Sequence, residues 1–116
     1  MAKQKINSAQ IKDQEAWVAP TLLNSWVNYG GTASTVGYMK DSMGFVHLKG
    51  LVKTGSPGTV VFNLPAGYRP GSYLRIAIIA SGTYGNLDIQ TSGDVTPTVG
   101  SSTFTGLDGV TFKAEA

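Results

Sequence analysis

One histidine, three aspartates in the C-terminal third and a scatter of aromatic rings are the side chains with which this sequence could do chemistry. His47 is the single histidine. A lone imidazole cannot build a histidine-rich zinc site. Serines abound for a serine–histidine–acid relay, but no Gly-x-Ser-x-Gly elbow is there to present a nucleophile. His47 therefore reads as structural or interfacial. Asp88, Asp94 and Asp108 suggest the paired carboxylates of a glycan hydrolase, which stand roughly 5–10 Å apart across a cleft. Asp94 and Asp108 adjoin Gly93 and Gly109, however, where turns alone favour aspartate. A small depolymerase is the least favoured reading. The acids lack calcium-loop spacing. The glycine-rich Gly82-Thr83-Tyr84-Gly85 and Gly55-Ser56-Pro57-Gly58 lack the lysine of a phosphate loop and read as hairpin loops. No catalytic residue, metal or cofactor is assigned, and the chain is not read as an enzyme.

The aromatics point to binding. Trp17, Trp26, Tyr29, Tyr38, Tyr68, Tyr73, Tyr84 and Phe104 are spread along the chain. A sugar ring offers an apolar face to stack on and hydroxyls to hydrogen-bond, so a loop tyrosine beside Asn and Asp can serve both needs. Tyr84, with Asn86 and Asp88 close behind, is the candidate saccharide contact.

These side chains must be positioned by strands. Short apolar segments fall at Thr35–Asp41, Gly44–Lys53, Thr59–Leu64, Tyr73–Ser81, Gly85–Gln90, Val95–Val99, Ser102–Thr105 and Val110–Lys113, each bounded by Gly, Pro, Ser, Asn or Asp. No 3.6-residue period is sustained. The pattern predicts an all-β fold: an antiparallel β-sandwich or jelly-roll-like barrel of about eight short strands. Pro20 interrupts Trp17–Asn28, so Thr21 onward is expected to form an edge strand. Alternation places Val46, Leu48, Gly50 and Val52 on one face, and Leu74, Ile76, Ile78 and Ala80 on another core row. Leu51 and Ile79 then point outward with His47. Apolar residues on the outer side of central strands point to a second dry contact rather than plain surface scatter, and in a trimer these three would form the subunit interface.

At 116 residues the chain is one domain, read as a polar arm over residues 1–16 and a β domain over 17–116. Charged residues are only 14%, low for a globular surface and consistent with burial against partners. The nine Lys and Arg give a net charge of +2 and form no basic block, which disfavours nucleic acid. There is no cysteine, which fits folding in a reducing cytoplasm. No apolar run is long enough for a membrane-spanning helix, and the first residues lack the apolar core of a secretion signal.

The segment Gly44-Phe45-Val46-His47-Leu48-Lys49-Gly50-Leu51-Val52, followed by Phe62-Asn63-Leu64-Pro65-Ala66-Gly67-Tyr68-Arg69-Pro70, resembles the C-terminal β domains of tailed-bacteriophage tail-fibre and baseplate proteins. Trp26-Val27-Asn28-Tyr29 and Leu107-Asp108-Gly109-Val110-Thr111-Phe112 are similar to the same pattern, so the likeness spans residues 17–113. The corner has a physical basis. Pro65 ends a strand, Gly67 permits a positive φ, Pro70 fixes the exit, and Arg69 beside Tyr68 can reach carbonyls or a neighbour's carboxylate. The resemblance implies a homotrimeric receptor-binding head at the tail tip of a virion, assembled in the host cytoplasm. It would be carried by other tail or baseplate proteins and would adhere to host cell-wall saccharide without catalysis. A trimerising cap of the fibre that binds nothing is the alternative.

Overall fold

A computed structural model describes residues 15–116. The expected arm therefore lies outside the described residues as far as Gln14. Among the described residues there is no helix, and ten strands, not about eight, form two antiparallel sheets. The seven-stranded sheet runs in the order β1 (Val27–Asn28), β4 (Leu51–Lys53), β9 (Thr105–Gly106), β6 (Leu74–Ala80), β7 (Thr83–Ile89), β8 (Asp94–Val99) and β5 (Phe62–Asn63). The three-stranded sheet runs β10 (Thr111–Lys113), β3 (Phe45–Lys49) and β2 (Gly37–Lys40). Together the sheets curl into a half-barrel.

The ribbon Gly44–Lys53, expected to be one strand, is broken at Gly50. Its first half, β3, belongs to the small sheet and its second half, β4, to the large one. Gly50 has φ +126°, and a Cβ there would stand 2.6 Å from the Val36 Cα. Only glycine tolerates both the dihedral and the approach. The Asp108 carboxylate accepts the Gly50 N–H at 2.8 Å, and the Gly50 carbonyl accepts the Leu107 N–H at 2.8 Å. The alternation survives the break on the inner side: Val46, Leu48, Gly50 and Val52 are all buried, as expected.

β6 and β7 form the longest hairpin. Its turn is Ser81-Gly82, with both residues at positive φ, the type I′ geometry that matches strand twist. Thr83, Tyr84 and Gly85 therefore lie within β7, which corrects their reading as a hairpin loop. The edge strand expected from Thr21 onward is confined to Val27–Asn28, though it does lie at the sheet edge. Pro97 sits in β8 beyond Val95, where β5 has ended and no ladder donor is needed on that side.

The two sheets share one core. Val46 and Leu48 from the small sheet meet Phe62, Leu87, Ile89 and Val95 from the large one, and Leu64 and Leu107 fill in from the connecting segments. Tyr38 of β2 stacks on Phe62 of β5 with ring centroids 6.1 Å apart. Trp26 is fully enclosed, its indole N–H reaching Thr59, while Trp17 stays half-exposed.

The proline-bounded corner forms. Gly67 has φ +93° and the Tyr68 N–H closes a turn onto the Pro65 carbonyl. Arg69 donates to the Leu64 carbonyl at 2.8 Å, bracing its own corner. Residues Glu115 and Ala116 clasp it, exchanging backbone hydrogen bonds with Gly67 and Arg69. Tyr68 packs edge-on against Tyr38 and donates its hydroxyl to Glu15 at 2.7 Å. That acceptor favours the protonated phenol and pushes its pKa up to about 12.

Candidate functional site

The hairpin register decides which side chains meet. Ile79 pairs with Tyr84, Ala77 with Asn86 and Arg75 with Asp88, so all six project from the outer face of the seven-stranded sheet. The candidate contacts Tyr84, Asn86 and Asp88 therefore share one face of one strand. Their surroundings differ from end to end.

Near the turn the face is apolar. Ile79 is 59% exposed and Tyr84 69% exposed. Leu51 of β4 reaches the same region across Gly106 of β9, which carries no side chain to separate them. Leu51, Ala77, Ile79, Tyr84 and Gly106 line a groove of about 470 Å³, whose wall also takes in Ile76 and Ile78 of β6 and the Asp108–Val110 segment. Leu51 and Ile79 thus stand together on an outer face, as the sequence suggested. His47 does not join them. The break at Gly50 carries it onto the other sheet.

Away from the turn the same face becomes polar and closed. Asp88 is only 3% exposed. The Arg75 guanidinium grips it in bidentate fashion, Nε to Oδ1 at 2.9 Å and Nη2 to Oδ2 at 3.0 Å. The Tyr73 hydroxyl donates to Asp88 Oδ2 and accepts from Arg75 Nη2. Arg75 holds the Asp88 carboxyl below the usual carboxylate range, with Tyr73 assisting against the opposing effect of burial. The phenol of Tyr73 is pushed up in turn, because it donates to that carboxylate. Asp88 is therefore occupied by its own neighbours, and Tyr84 and Asn86 are the members of the trio left to meet a ligand.

On the small sheet His47 is held from both sides. Nε2 meets Asp41 Oδ2 at 2.8 Å and Nδ1 meets Thr111 Oγ1 at 3.1 Å. Asp41 also accepts the backbone N–H groups of Met43 and Phe45 through Oδ1. Its carboxyl is held below the usual range, first by His47 and then by those N–H groups. The line Thr111–His47–Asp41 ties β10, β3 and the turn between β2 and β3 into one hydrogen-bonded strip.

Asp94 and Asp108 occupy separate structural posts. Asp94 accepts from the Asn63 side chain at 2.8 Å, and Asp108 holds Gly50. Sequence reasoning missed Tyr73, Arg75 and Asp41. The signal for the first two was present: counting outward from a Ser81-Gly82 turn sets Arg75 opposite Asp88. Placing the loop at Gly82–Gly85 obscured it. Compared with known proteins, the chain matches no protein-family model, no curated protein and no solved structure.

Proposed function

We propose that this chain is a homotrimeric head module of a bacteriophage tail fibre that adheres to host cell-surface saccharide without catalysing a reaction. The reading starts from the resemblance of the corner and its flanking strands, and two sheets around one core support a sandwich of jelly-roll type. The observation that carries it is the apolar groove on the large sheet. An isoleucine more than half exposed, beside Leu51, Ala77 and Tyr84 in the middle of a sheet, is the kind of surface that soluble chains cover with a partner. Identical copies are the partner the resemblance implies. Tyr84 and Asn86 would then lie at the rim of the contact, where three weak saccharide sites on one trimer gain avidity. Sedimentation at micromolar concentration is expected to give a trimer, and a monomer overturns the reading. Binding to isolated host cell walls checks adhesion.

A fibre cap without a ligand is the second reading. The closure of Asp88 by Arg75 and Tyr73 favours it, since it removes one of the three expected ligand contacts. A well-formed trimer that binds no wall saccharide would select the cap.

A further inference from the structure

We infer that the outer face of the three-stranded sheet is a binding site for an acidic oligosaccharide, anchored on Trp17 and Lys49. Six Lys and Arg lie among the described residues, and five of them sit over aromatic rings: Lys40, Lys49, Lys53, Arg75 and Lys113. Two of those pairs lie on the small sheet, where Lys49 belongs to β3 and Lys113 to the neighbouring β10. The Lys49 ammonium stands 5.3 Å from the Trp17 ring centroid, and the Lys113 ammonium 5.5 Å from that of Phe45. A cavity of about 370 Å³ opens beside the first pair, lined by Trp17, Met39, His47, Lys49 and Thr111.

The strands explain the arrangement. Phe45, His47 and Lys49 alternate outward on β3, with Lys113 opposite Phe45 and Thr111 opposite His47 on β10. The two lysine–aromatic pairs are therefore separated by four residues of strand, roughly 13 Å. An indole that is 45% exposed offers a plane for the apolar face of a pyranose. The Lys49 ammonium, poised over that ring, suits a carboxylate on the sugar. Among the described residues no carboxylate lies within salt-bridge distance of Lys49 or Lys113. Asp41, which reaches this strip through His47, is taken up by that ring and two backbone N–H groups. Locked by Asp41 and Thr111, His47 keeps a fixed ring orientation between the two ends. A nucleic acid fits less well, because two ammonium groups on one short face track no phosphate backbone.

The site shares its ligand class with the adhesion reading but not its groove. The probe is a hyaluronan tetrasaccharide, which alternates glucuronate with N-acetylglucosamine, titrated at low salt while tryptophan fluorescence is followed. Trp26 is enclosed, so Trp17 reports. Saturable quenching is expected, with neutral chitotetraose up to about five-fold weaker, the upper end of the discrimination expected of one exposed charge pair. Lys49→Met keeps the aliphatic stem and is expected to lose the same factor, whereas Lys53→Met, on the other sheet, is not. Equal binding of chitotetraose, tighter binding of an oligo-dT of similar length, no saturable binding, or an unaffected Lys49→Met each overturns the inference. Ile79→Asp is expected to leave the affinity unchanged whatever the oligomeric state, so failure of this site and failure of the trimer are told apart.

Discussion

Asp88 is ionised at neutral pH because Arg75 and Tyr73 complete its hydrogen bonds inside the protein. A carboxyl whose folded pKa lies below its unfolded value stabilises the fold above the unfolded value, and that contribution fades as pH falls through and below it. Asp88→Asn is therefore expected to cost about 1–2 kcal/mol at pH 7, the loss of a charge-assisted pair whose arginine stays hydrated. The gap between variant and parent should narrow as pH falls below about 4, where Asp88 takes up a proton first in the unfolded parent and only at lower pH in the folded one. Urea denaturation at pH 7, 5 and 3 measures it, and a gap that widens in acid contradicts the assignment. From sequence, Asp88 looked like a ligand residue because it follows close behind Tyr84 and Asn86. The cross-strand arginine went unseen because the pairing follows from a two-residue turn, and the loop was placed too far along the chain to give that register. The core positions Val46, Leu48 and Val52 needed no partner to be recognised; their alternation with polar neighbours was enough.

Gly50 decides the architecture of the elements around it. Both its φ and its approach to Val36 exclude a Cβ, so Gly50→Ala must either strain the backbone or push β2's leading segment away. A loss of about 2–3 kcal/mol is expected, enough to lower the melting temperature by about 10 °C, measured by thermal unfolding followed by circular dichroism. Gly58→Ala, also at positive φ but with open space around it, should cost less and serves as the comparison. The same glycine marks where periodicity misleads. Alternation is continuous from Phe45 to Lys53, and nothing in it distinguishes a straight strand from one that changes sheets. The proline-bounded corner was legible because its constraint is local: Gly67 adopts the positive φ that its place in the segment requires.

At the scale of the whole molecule the exposed apolar groove sets the oligomer question. Ile79→Asp, at a strand position more than half exposed, is expected to leave the circular dichroism spectrum intact and to shift a trimer to monomer in sedimentation, since a charge buried without a partner is costly at an interface. A trimer that persists would place the contact elsewhere. The charge-poor composition hinted at such a surface, but only the meeting of Leu51 and Ile79 across Gly106 locates it. The crossing at Gly50 has one more consequence. A single continuous backbone is hydrogen-bonded into the small sheet on one side of that residue and into the large sheet on the other, so neither layer can peel away without tearing the other's ladder. Amides of β3 and of β6 should then exchange with deuterium through one shared opening event, and not as two independently melting halves.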